Sequence, residues 1–177
     1  SGKKKVVLEL GGNAGVIVHS DADLAYAAER CVAGGFVYSG QTCISVQRIL
    51  VERSVSAKFI DLFLAGVKKL VVGDPLLEST DGGPLIRESD AIRAKEWVDE
   101  AVKGGARLLC GGQRNGSILE PTVVTGTRPE MKENCQEIFA PVITVESYEP
   151  FDEALRQINS SAYGLQAGIF TDRKSVV

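Results

Sequence analysis

The sequence predicts an α/β fold, an open and largely parallel sheet with helices on both faces. Three observations lead to it. Short runs rich in Val, Ile and Leu alternate with longer runs whose apolar residues keep helical spacing. Glycine and proline cluster at the joins between them. The 177 residues, 44% of them apolar, suffice for one domain with a real core.

In order, Val6-Val7-Leu8-Glu9-Leu10 reads as a first strand and Val16-Ile17-Val18 as a second. Ser20 or Asp21 then offers an N-cap for a helix over 22–38, in which Leu24, Ala27, Ala28, Cys31 and Val32 make the apolar stripe. Residues 47–51 predict a strand and 55–71 a helix. A loop follows over 76–89, punctuated by Gly82, Gly83 and Pro84. Residues 91–104 predict another helix, with Gly104-Gly105 as its stop. Strands are expected at 107–110, 121–125, 141–148 and 167–170, and a short helix at 151–160. Right-handed crossovers would join the parallel strands. The closing run from Asp172 has the pattern of a helix just beginning, so a longer parent protein is expected.

Composition narrows the function. A net charge of −3 argues against nucleic acid or an anionic membrane as partner. No apolar run approaches the roughly 20 residues that span a bilayer. Ser1-Gly2-Lys3 leads directly into an alternating segment without a secretory pattern, so a cytoplasmic protein is expected. Its four cysteines, Cys31, Cys43, Cys110 and Cys135, are then reduced thiols. They lack Cys-x-x-Cys spacing, and the single histidine, His19, has no metal-binding neighbour, so no metal site is expected.

Two residues stand out chemically. Cys43 lies in Gly40-Gln41-Thr42-Cys43-Ile44-Ser45, a small-residue loop whose backbone N–H groups could face a developing oxyanion. Its plainer alternative is a small hydrophobe buried at a helix end. Glu9 interrupts an apolar run beside Gly11 and Gly12, a setting for a general base. Pattern alone favours a solvent-facing strand residue. Cys31 and Cys110 read as core, and Cys135 as an exposed loop residue. Gly11-Gly12-x-x-Gly15 lacks the spacing of a dinucleotide fingerprint, and a second apolar run follows where its helix should start.

Four blocks taken in order carry a resemblance. They are Leu8-Glu9-Leu10-Gly11-Gly12-Asn13, Gly40-Gln41-Thr42-Cys43, Glu137-Ile138-Phe139-Ala140-Pro141-Val142, and Asn159-Ser160-Ser161-Ala162-Tyr163-Gly164-Leu165. Gly73-Asp74-Pro75, Gly83-Pro84-Leu85-Ile86 and Glu120-Pro121-Thr122-Val123 lie between them. This set resembles the catalytic domain of the aldehyde dehydrogenase superfamily, over nearly the whole chain. The resemblance implies that Cys43 attacks an aldehyde and that Glu9 activates the deacylating water. It implies that Glu137 binds the nicotinamide ribose, that Phe139 packs near the nicotinamide, and that the Leu10 carbonyl meets the carboxamide of NAD or NADP. Cys43-Ile44-Ser45 and Ile138-Phe139-Ala140-Pro141 look most like the branch acting on lactaldehyde and other short hydroxyaldehydes.

The same resemblance implies that residues 1–177 are an incomplete catalytic domain, without the NAD(P)-binding domain and the C-terminal part. The isolated piece would then be nearly inactive, and its parent a homodimer or homotetramer. Ala140 stands where many members carry glycine, and Gly15 where many carry proline. Competing expectations are transfer of the acyl group to coenzyme A, which Glu9 argues against, a cofactor-free thiol hydrolase, and a non-catalytic structural or interaction module.

Overall fold

A computed structural model describes residues 2–173. The elements run β1 (Ala14–Val18), α1 (Leu24–Phe36), β2 (Val46–Glu52), α2 (Arg53–Val67), α3 (Glu88–Lys103), β3 (Arg107–Cys110), β4 (Arg114–Asn115), β5 (Ile118–Leu119), β6 (Thr122–Thr125), α4 (Lys132–Cys135), β7 (Val142–Tyr148), α5 (Phe151–Asn159) and β8 (Ala167–Phe170). Six strands form one sheet in the order β3-β6-β7-β2-β1-β8. Every pairing in it is parallel except β3 with β6. Beta-branched residues fill the central strands because both faces of the sheet are covered.

On one face, Val16, Val18, Ile49, Val51, Ile143 and Val145 pack against α1 and α2. Phe59 and Phe63 stack there at 5.8 Å, both fully buried. Each contributes roughly 2–3 kcal/mol by leaving water. On the opposite face, Ala91, Ala94, Val98 and Ala101 of α3 meet Val124 and Val142, while Ile17, Leu50 and Tyr148 meet α5 through Ala154 and Ile158. Helices thus cover both faces, as the alternation of runs predicts.

Several local expectations are corrected. Residues 6–10 form no strand: Val6, Val7, Leu8 and Leu10 are 61%, 74%, 69% and 53% exposed. The alternating pattern is present, but among the described residues no strand lies beside it to complete a ladder. The cap of α1 is Asp23, whose Oδ1 accepts from the N–H groups of Ala25 and Tyr26 at 3.1 Å. Asp21 is engaged by Thr171, and the Ser20 N–H by Glu52. The helix read as 55–71 spans Arg53–Val67 instead, and α3 begins at Glu88, inside the expected loop. The β4–β5 hairpin and the single turn of α4 are additional. The helix expected from Asp172 falls mostly outside the described residues. No helix among the described residues is long and apolar enough to cross a membrane.

Candidate active site

The loop carrying Cys43 is set by an unusual turn. After α1 the chain passes through Tyr38, Ser39 and Gly40 with φ of 51°, 56° and 71°. Left-handed backbone costs on the order of 1 kcal/mol or more at a non-glycine residue, so two in succession need outside support. Ser39 Oγ supplies it by donating to the Gly83 carbonyl at 2.8 Å. Gln41 reaches the same loop, its Oε1 accepting from the Ile86 N–H at 2.9 Å. Beyond it, Ser45 N–H closes a turn on the Thr42 carbonyl at 3.0 Å, and Ser45 Oγ ties back to the Gly35 carbonyl at 3.1 Å. Cys43 sits in this braced loop, half-buried.

Three sequence-distant loops meet through glycine backbones. A Cβ on Gly12 would overlap the Cys43 carbonyl, and one on Gly40 would overlap the Ala140 carbonyl. Gly12 N–H also donates to Glu137 Oε1 at 2.8 Å. Gly12, Gly40, Thr42, Glu137 and Phe139 therefore line one narrow crevice. Phe139 is itself left-handed, with φ of 50°. Its neighbour Glu137 donates its backbone N–H to the Tyr163 hydroxyl at 3.3 Å, which brings in the fourth block.

Of the residues singled out from sequence, Glu137 and Phe139 line this crevice, and Cys43 adjoins it through its backbone carbonyl, which lies against Gly12. Glu9 and Leu10 lie just upstream of Gly12 on the same segment, exposed, and their side chains have no hydrogen-bond partner among the described residues. Segment and loop are adjacent at Gly12.

Sequence reasoning missed the residues that hold these loops. Gln47, buried at the start of β2, donates through Nε2 to the carbonyls of Glu133 at 2.6 Å and Gln136 at 2.7 Å. Its Oε1 accepts from the Ile138 N–H at 3.1 Å. Asn13 Nδ2 donates to the Gln136 carbonyl at 3.0 Å. Arg48, also buried, spends its guanidinium on three carbonyls. The available signal was two polar residues, Gln47-Arg48, opening an otherwise apolar strand.

The other thiols are set apart by their surroundings. Burial pushes the Cys31 thiol up to about 12 and also raises Cys110. Cys31 lies in the core, as expected, whereas Cys110 is only half-buried at its edge. Among the described residues no cluster of three His, Cys, Asp or Glu side chains is placed to hold a metal ion.

A family profile described as the aldehyde dehydrogenase family matches residues 1–177. The chain belongs to the aldehyde dehydrogenase family. It is 45% identical over 172 residues to a 3-sulfolactaldehyde dehydrogenase of Priestia megaterium, covering 97% of this chain and 36% of that protein. It is 43% identical over 171 residues to a lactaldehyde dehydrogenase of Methanococcus aeolicus, covering 97% and 37%. Among solved structures, aldehyde dehydrogenase 21 of Physcomitrella patens in complex with succinate superposes with a TM-score of 0.92 at 46% identity, covering 98% of this chain and 36% of that one. A glyceraldehyde-3-phosphate dehydrogenase of Methanocaldococcus jannaschii complexed with NADP gives 0.92 at 41% identity, covering 98% and 38%. The chain thus spans 36–37% of the length of these two curated aldehyde dehydrogenase relatives.

Proposed function

We propose that the protein carrying this chain oxidises an aldehyde to a carboxylic acid with NAD+ or NADP+, through covalent adducts on Cys43. One observation carries the reading: the Gly12 backbone lies against the Cys43 carbonyl and hydrogen-bonds the Glu137 carboxylate. A single residue thereby joins the sulfur loop, the carboxylate and the segment bearing Glu9.

Cys43, having given its thiol proton to solvent, adds as thiolate to the aldehyde carbon, and the resulting thiohemiacetal oxyanion would be met by backbone N–H groups of the surrounding loop. When bound, the oxidised nicotinamide supplies the acceptor for the hydride that departs from that carbon. Glu9 then takes a proton from water as the water attacks the thioester, and Cys43 leaves as thiolate. The acid is released with the sulfur restored.

The residues present fit a dinucleotide. Glu137 Oε1 is engaged by Gly12, whereas Oε2 accepts from no donor among the described residues and is free for ribose hydroxyls. A Cβ on Gly11 would stand 3.1 Å from that oxygen and 3.0 Å from the Tyr163 ring, so glycine keeps the approach open. Phe139 and the Leu10 carbonyl would complete the nicotinamide end.

Short hydroxyaldehydes are the proposed substrate class, supported by the names of the relatives, lactaldehyde and 3-sulfolactaldehyde dehydrogenases. Residues 1–177 are proposed as part of the catalytic domain of a cytoplasmic homodimer or homotetramer. By itself this part would have little activity.

In the full-length protein, Glu9→Gln is expected to give a burst of NADH followed by slow turnover, because acyl-enzyme forms but is not hydrolysed. An unchanged steady-state rate would refute the role of Glu9, and a Cys43→Ser variant with full activity would refute the covalent route.

A further inference from the structure

Arg48 is 6% exposed, and among the described residues its guanidinium forms no ion pair with a carboxylate. A buried cation without a counter-ion is costly, and here Nε has no partner among the described residues, so the two terminal nitrogens carry all of its hydrogen bonding. Its Nη1 donates to the Gln157 carbonyl at 2.9 Å, and Nη2 donates to the carbonyls of Ile158 at 3.1 Å and Asn13 at 3.3 Å. Gln157 and Ile158 lie in the last turn of α5, where carbonyls lack the i+4 helical donor and the helix dipole favours positive charge, although Ser160 Oγ also donates to the Gln157 carbonyl at 2.8 Å. Asn13 is the residue immediately after Gly11-Gly12. The guanidinium therefore bolts the end of a packed helix to the segment that carries Glu9.

That segment needs an anchor. Gly11 and Gly12 have no side chains with which to fix their backbone, and residues 6–10 lie in no strand. Beside the bolt, Gly15 pairs with Arg48 across β1 and β2. A Cβ on Gly15 would overlap Ile158 Cδ1 and stand 3.5 Å from Nη2, so the absent side chain leaves room for the arrangement.

We infer that Arg48 is a positioning residue for deacylation, holding the Glu9 segment in register with Cys43 by bridging the Asn13 carbonyl to the end of α5. The inference rests on the function proposed above. Lysine in its place would keep the charge, but a single ammonium cannot span the three carbonyls as a planar fork does.

The test is Arg48→Lys in the full-length protein, with active sites titrated by the NADH burst. Expected is a fall in kcat per titrated thiol on the order of 10- to 100-fold. The ratio kcat/KM, governed by acylation at Cys43, should hold within about twofold. In the ligand-free variant, amide exchange over residues 11–15 should quicken by roughly tenfold while that of α2 stays unchanged. A merely structural role would lower the number of titratable sites and leave kcat per site intact. Gly15→Ala, which crowds Ile158 against the guanidinium, should give the same kinetic split and decides the matter if Arg48→Lys does not fold. Unchanged kcat per titrated thiol in the variant that folds overturns the inference. Absence of Cys43-dependent aldehyde oxidation in the unsubstituted full-length protein would instead overturn the function on which it rests.

Discussion

Gly12 N–H donates a 2.8 Å hydrogen bond to Glu137 Oε1 across 125 residues of sequence. The same glycine leaves no space between its Cα and the Cys43 carbonyl. One backbone position therefore spaces two loops at once, and neither can move without the other.

Gly12→Ala tests that spacing. Its new methyl would overlap main-chain atoms, which no rotamer change can relieve, so stability should fall by about 1–3 kcal/mol. In the full-length protein, the aldehyde oxidation proposed above should fall on the order of 100-fold. Gly164→Ala is the control, because a Cβ at that glycine meets nothing within 4 Å. Urea unfolding and steady-state rates on both variants check the difference.

Gln47→Leu would leave the buried Ile138 N–H without an acceptor, while Asn13 still serves the Glu133 and Gln136 carbonyls. The expected loss is about 2 kcal/mol, the cost of one orphaned buried donor. The urea midpoint should drop with the slope unchanged. In the full-length protein, the Michaelis constant for the proposed dinucleotide should rise, because Glu137 and Phe139 flank the released amide.

Glu133 gives a pH dependence. Its carboxyl is 1% exposed with Oε1 unpaired, and burial raises its pKa above the ordinary value. The folded state therefore binds this proton more tightly than the unfolded state does. The contribution is full at pH below the ordinary carboxylate value and is lost as pH rises through the higher folded value. Relative to the unsubstituted protein, Glu133→Gln should gain stability as pH increases over that window and then level off. Chemical denaturation of both proteins at each pH isolates this group from Glu146, which burial shifts in the same direction.

The cysteines should separate by alkylation. Cys31 is 1% exposed with its thiol pushed up to about 12, so iodoacetamide should label it only after unfolding. Cys135 is exposed and should label in the native state. Faster labelling of Cys43 than of Cys135 is expected if its loop activates the sulfur. Peptide mass spectrometry over a time course reads all three rates.

Much of the fold was legible in the sequence because period and composition agree where burial is two-sided. The runs that became β2 and β7 are dense in Val and Ile, and α1 shows its stripe directly. The segment at 6–10 was misread because an alternating pattern states what a strand would bury, but not whether a neighbour exists to bond it. The β4–β5 hairpin and α4 are too short for any period to register. Cys43 stood out from its small-residue loop alone, whereas Glu137 was legible only as part of an ordered block. The Gln47 and Arg48 networks were not, since their partners lie between 35 and 110 residues away and are backbone carbonyls or an amide, which leave no mark on residue identity.

The uncovered stretch at 6–10 has a consequence for handling this piece by itself. Its amides and carbonyls have no ladder partner among the described residues and could zip onto a second molecule, and its valines and leucines would make that union oily and hard to reverse. Purified alone, it should cloud at high concentration. Lysine at Val7, the most exposed of its apolar residues, would clear the solution without touching the sheet.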